Sequence, residues 1–126
     1  MKKIIYTPDA PLPVGPYSQA VVSGNLLYTS GQIGIDPQTG KLAEGGIEQQ
    51  AKQVMKNLQA ILASQGLGFS DVLKTTIFVK DLGNFKLVNE IYGSFFTENP
   101  PARETAQACN LPLNAELEIS LIAALR

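Results

Sequence analysis

The chain has 126 residues, enough for one domain with its own core. Hydrophobic residues make up 44% and charged residues 17%, a globular balance that excludes a disordered or membrane-embedded chain. The net charge is −1 with no basic run, there is one cysteine, and there is no histidine. These counts exclude an internal disulfide, His-dependent nucleophilic triads, His-ligated zinc and a phosphate-backbone grip.

Residues 3–6 predict a short first strand, with no apolar signal-peptide segment behind Lys2 and Lys3. The proline- and glycine-rich stretch 8–16 predicts an ordered, irregular loop. Residues 17–23 and 26–31 predict two strands joined by a hairpin at Gly24-Asn25. A glycine-rich loop follows from Pro37 to Gly46. Ile47, Ala51, Val54, Met55, Leu58, Ile61 and Leu62 then fall at helical spacing, and Gly66 and Gly68 end that helix. Residues 72–80 predict a strand, and 82–98 a second helix stopped by Pro100-Pro101. Residues 103–109 and 116–125 predict the last two strands.

Two amphipathic helices need one sheet face to cover, so the expected fold is α+β. It is a single domain over 1–126: a mixed six-stranded sheet with both helices on one face. The other face is expected to be solvated or buried, and apolar residues on both alternations of the last strands favour burial against further copies of the chain.

Without histidine, chemistry falls to Arg, Glu, Tyr, hydroxyls, backbone amides and water. Arg103 begins a strand after a proline turn, where its planar fork can grip a carboxylate. Taken by position alone, a surface ion pair explains it better. Glu118 lies in an apolar strand, where a partly buried carboxylate can activate water; a solvated strand face is the plainer reading. Tyr17 follows the rigid Gly15-Pro16, and Ser30-Gly31 ends a strand where a bare backbone can approach a ligand. Ordinary packing and a strand-end turn explain these equally well. Asn89 in the second helix reads as structural, and Cys109 as a small filler.

Gly15-Pro16-Tyr17-Ser18-Gln19-Ala20, Thr29-Ser30-Gly31-Gln32, the segment 72–81, Val88-Asn89, Pro101-Ala102-Arg103, Leu111-Pro112 and Glu118-Ile119 occur together and in order. In this combination the chain resembles the RidA/YjgF reactive-intermediate deaminases over nearly its whole length. The resemblance implies a chorismate-mutase-like fold, a cytoplasmic homotrimer with clefts between subunits, and no metal or cofactor. It implies hydrolysis of 2-iminobutanoate, 2-iminopropanoate and 2-aminoacrylate to 2-keto acids and ammonia. By resemblance Arg103 binds the substrate carboxylate and Gly31 holds the substrate through its backbone. Tyr17 and Glu118 position the attacking water, Ser30 lines the cleft, and Asn89 supports it.

The chain departs from the pattern at Glu104 and at Thr105, where many members carry a small residue and a cysteine, and its loop before Pro101 is short. Strand alternation turns Glu104 away from Arg103 and leaves Thr105 on the same face, as a hydroxyl in place of a thiol. Besides a structural or chaperone-like trimer, for which the chain gives no specific feature, two rival functions remain. One is a non-catalytic trimer sensing small 2-keto or amino acids through the same arginine. The other is an endoribonuclease, disfavoured by the missing histidine and basic stripe. Partners are accordingly a small carboxylate and further copies of the chain, without membrane or nucleic acid.

Overall fold

The strands that reach the functional residues all belong to one sheet. The computed structural model describes residues 1–126. Strands β1 (Lys3–Ile5), β2 (Ala20–Ser23) and β3 (Leu26–Thr29) form an antiparallel meander. A two-stranded ribbon, β4 (Ile35–Asp36) and β5 (Lys41–Leu42), leads into helix α1 (Gly46–Ala63). Then come β6 (Val72–Val79), helix α2 (Phe85–Gly93), β7 (Ala102–Gln107) and β8 (Leu117–Ala124). The six-stranded sheet runs β1-β2-β3-β8-β6-β7, and only β6 and β7 pair in parallel. This is the expected mixed sheet with two helices.

Period-2 alternation decides which residues meet the helices. In β8, Leu117, Ile119, Leu121 and Ala123 are buried, while Glu118, Ser120, Ile122 and Ala124 stand on the other face, partly exposed. Ile77 and Val79 of β6 join the buried set, packed with Val54, Leu58, Ile61 and Leu62 of α1 and Val88 of α2. At the end of α1, Gly66 takes φ 69°, which lets Leu67 N–H donate to the Leu62 carbonyl and close the helix.

Several boundaries differ from the sequence expectation, the larger ones for local reasons. Residues 17–19 are not strand: Tyr17 N–H donates back to the Gly15 carbonyl, and the Gln19 side chain is taken up by the loop before it. The loop at 37–46 hides the β4–β5 ribbon, turned by Gln38 N–H donating to the Asp36 carboxylate. The second helix is shorter than 82–98. Leu82–Asn84 is a 3₁₀ turn capped by Asp81, and α2 ends at Gly93. There the Ser94 hydroxyl donates to the Ile91 carbonyl, and Phe95 and Phe96 pack edge-on against Phe69 instead of extending the helix. The strand expected over 103–109 runs Ala102–Gln107. No helix is long and apolar enough to cross a membrane.

Candidate functional site

Glu118 is flanked by the fully buried Leu117 and Ile119, so the strand cannot rotate it away from the opposite face. Its backbone neighbour across the sheet is Phe78, and Ile119 is bridged by Gln32 through two backbone hydrogen bonds of 2.8 and 3.0 Å. That bridge lays Gly31 directly against the Glu118 carboxylate. A Cβ at Gly31 would stand 2.6 Å from Glu118 Cδ and 2.8 Å from Oε2, so no side chain fits there. Half-burial among these groups raises the Glu118 pKa above the ordinary carboxylate value.

A cleft of about 320 Å³ opens in front of this carboxylate. Tyr17, Ser30, Gly31 and Glu118 all line it, so four of the sequence-derived candidates converge. The Tyr17 hydroxyl accepts from Val14 N–H at 3.3 Å, which anchors its phenol. The Ser30 hydroxyl is spent on structure: it donates to the Ser18 carbonyl at 2.5 Å. Glu118 is the one charged residue in the lining.

The other three candidates lie elsewhere. Arg103 pairs with Thr75, whose side chain is buried on the helix face and shares a 2.8 Å hydrogen bond with Tyr92. Arg103 therefore stands on the opposite face of the sheet from Glu118. Its Nη1 donates to Asn89 Oδ1 at 2.7 Å, and the guanidinium lies over the Phe85 and Tyr92 rings at 5.2 and 5.1 Å. No carboxylate pairs with it. The rest of the fork is free for an anion. Thr105, on the same face, has a buried hydroxyl without a hydrogen-bond partner. Glu104 points the other way, bonded to Lys74 at 3.0 Å, as strand alternation required.

Sequence reading named Asn89 but missed the two rings that work beside it, and it missed a second supporting group altogether. Phe85, Asn89 and Tyr92 form one stripe of α2 at spacings of four and three, a pattern that also reads as ordinary core. Gln19 is the second. Its buried amide accepts from Thr7 N–H at 2.7 Å and donates to the carbonyls of Thr7, Ala10 and Pro11 at 2.9, 3.2 and 2.9 Å. Gln19 thus ties down the loop that carries Tyr17.

A mixed-sheet α+β protein with a carboxylate-faced cleft and a separately held, unpaired guanidinium is a scaffold for small-molecule chemistry. The Endoribonuclease L-PSP family model matches residues 7–125. The chain belongs to this family, and within it to the Rid-type proteins that its motifs resemble. It is 44% identical to the human 2-iminobutanoate/2-iminopropanoate deaminase over 98% of this chain and 90% of the human protein. It superposes on YyfA, a Rid-family protein of Yersinia pestis, with TM-score 0.96 at 44% identity, covering 99% and 100% of the two chains. It also superposes on E. coli TdcF, solved with bound serine, with TM-score 0.93 at 40% identity, covering 98% and 99%.

Proposed function

We propose that the protein hydrolyses 2-imino acids and their enamine tautomers to 2-keto acids and ammonia, in the cytoplasm, as a homotrimer whose sites are completed between subunits. The observation that carries the hydrolytic step is the Glu118 carboxylate, held against Gly31 in an open cleft with its pKa raised by burial. Relatives at this level of identity named for the same deamination support the substrate class.

The split of the candidates supports the assembly. A cleft whose one charge is Glu118 repels an anionic substrate, and Arg103 faces away from it in the same chain. A second copy supplies the missing cation. The sheet face opposite the helices carries a row of apolar side chains suited to that contact: Ile4, Val21, Tyr28 and Ile122, paired across four strands. Ile4 and Tyr28 are 54% and 39% exposed.

The chemistry needs no strong nucleophile. Arg103 holds the substrate carboxylate bidentately, supported by Asn89, and the Thr105 hydroxyl beside it takes a further substrate contact. The Gly31 backbone lies along the substrate, with Ser30 fixing the strand end. Glu118 and Tyr17 orient a water at the imine carbon. Water oxygen bonds to that carbon as Glu118 takes the water proton, and the imine nitrogen becomes an amine. Glu118 returns the proton to nitrogen and then takes the carbinolamine hydroxyl proton as the C=O bond forms, the C–N bond breaks and ammonia leaves; the ammonia or solvent finally removes that proton from Glu118. A raised pKa suits a group that must both accept and return a proton near neutral pH. Orientation and a fixed charge supply most of the acceleration.

The test couples the purified protein to a threonine dehydratase and follows 2-keto acid release. Wild type accelerates release and Arg103→Ala does not. An inactive wild type that still binds 2-keto acids would establish the sensor reading instead.

A further inference from the structure

We propose that Thr75 is a positioning residue for substrate binding: through its hydrogen bond to Tyr92 it fixes a ring on which the Arg103 guanidinium rests, and so sets the fork that grips the substrate carboxylate. This deepens the deaminase reading above and rests on it for the identity of the substrate. Every contact it uses lies within one chain, between the sheet and α2.

Thr75 is out of keeping with its surroundings. The other buried residues of β6, Val72, Ile77 and Val79, are all aliphatic. Across the sheet Thr75 pairs with Leu121, which is also buried. A valine has the same branched shape and would fill this space with no hydroxyl to desolvate. The Thr75 hydroxyl, in a residue only 1% exposed, has a single partner, the Tyr92 hydroxyl at 2.8 Å. Tyr92 is itself buried, and its hydroxyl has no other partner. Each hydroxyl therefore serves only the other, at a place where valine and phenylalanine would pack without either.

What the pair does follows from where the ring lies. Tyr92 packs against Phe96 at 4.6 Å between centroids and lies under the Arg103 guanidinium at 5.1 Å. A phenylalanine here is tethered at its backbone end alone. The phenol is held at both ends, by its backbone and by Thr75, so its plane cannot swing about the side-chain bonds. Cation–π attraction needs the cation over the face of the ring, and a fixed ring gives the guanidinium a fixed seat. Thr75 also pairs in register with Arg103, so hydroxyl, ring and guanidinium form one path from β6 through α2 to β7. Asn89 fixes one nitrogen of the fork by its hydrogen bond, and the rings carry the rest.

Thr75→Val and Tyr92→Phe test this, with Thr75→Ser as the variant that keeps the hydroxyl. Binding of 2-oxobutanoate is measured by calorimetry, and turnover by the dehydratase-coupled assay. Thr75→Val and Tyr92→Phe each weaken binding by about two- to fivefold, the scale of one cation–π contact, and raise KM to match with kcat unchanged. The double variant binds no more weakly than the single ones, because the pair acts as a unit. Thr75→Ser restores wild-type affinity. A hydroxyl that serves stability alone lowers the melting temperature and leaves affinity and KM where they were, and that result overturns the proposal. A second readout needs no substrate. Arg103 and Arg126 are the only arginines in the chain, so NMR of the guanidinium Nε–H groups resolves them. The Arg103 signal, displaced by ring currents in wild type, moves toward that of an unstacked arginine in Thr75→Val and Tyr92→Phe. A signal that stays in place overturns the proposal as well. A wild type that binds no 2-keto acid, yet shows this movement, keeps the positioning device and sinks only the deaminase reading.

Discussion

Glu118 carries the sharpest consequence at the scale of single residues. Its ionised form is disfavoured by burial in the folded chain, so the native state holds this proton more tightly than the unfolded state does. Stability from this group is therefore greatest at low pH and declines as pH rises through the raised native pKa. Glu118→Gln, which has no charge to bury, should melt higher than wild type at neutral pH, by differential scanning calorimetry. The same substitution should lower kcat by about 10²–10⁴ while 2-keto acid binding persists. The acid limb of the wild-type kcat/KM profile should lie above the ordinary carboxylate range and vanish in Glu118→Gln. The sequence showed where this carboxylate falls in the strand but not that it is half-buried. Alternation separated Glu118 from Leu117 and Ile119, yet a solvated face has the same pattern. Only the closeness of Gly31, which belongs to a segment far away in sequence, distinguishes them.

At the scale of elements, two devices set the candidate residues in place. One is the α2 stripe of Phe85, Asn89 and Tyr92 under Arg103. Removing the amide by Asn89→Ala takes one hydrogen bond from an exposed guanidinium that the rings still hold. KM should rise about fivefold with kcat little changed, in steady-state assays. The other device is Gln19, at 1% exposure, which bonds four backbone groups of the loop between β1 and β2. Gln19→Leu leaves those groups unpaired in the interior and should cost about 2–4 kcal/mol in a urea titration. Neither device was legible beforehand. Helical spacing places Phe85 and Tyr92 on an inner side without saying that a neighbouring strand will bring an arginine there. Strand propensity drew residues 17–19 into a strand, whereas the buried amide of Gln19 holds them to the loop. The early end of α2 at Gly93 was hidden in the same way, because Phe95 and Phe96 continue the apolar spacing although they serve the cluster around Phe69.

For the whole molecule, the sheet and helix order were legible because two long apolar stripes demand one covered face. The six-stranded mixed sheet followed. The distribution of the site was not, since a strand list does not say which face each candidate takes until registers are known. Thr75 against Arg103 and Phe78 against Glu118 put the two charges on opposite faces of one sheet. On the proposed reading, a site needing both draws them from different copies. The apolar row from Ile4 to Ile122 is the contact surface proposed for them. The most direct test mixes two variants that are each inactive alone, Arg103→Ala and Glu118→Gln, by refolding them together from denaturant. Random assembly of the proposed trimer gives about a quarter of the interfaces an intact arginine from one copy and an intact glutamate from the next, so about a quarter of wild-type deaminase activity should return. If the mixture stays as inactive as either variant alone, while refolded wild type recovers fully, the two residues do not act across an interface.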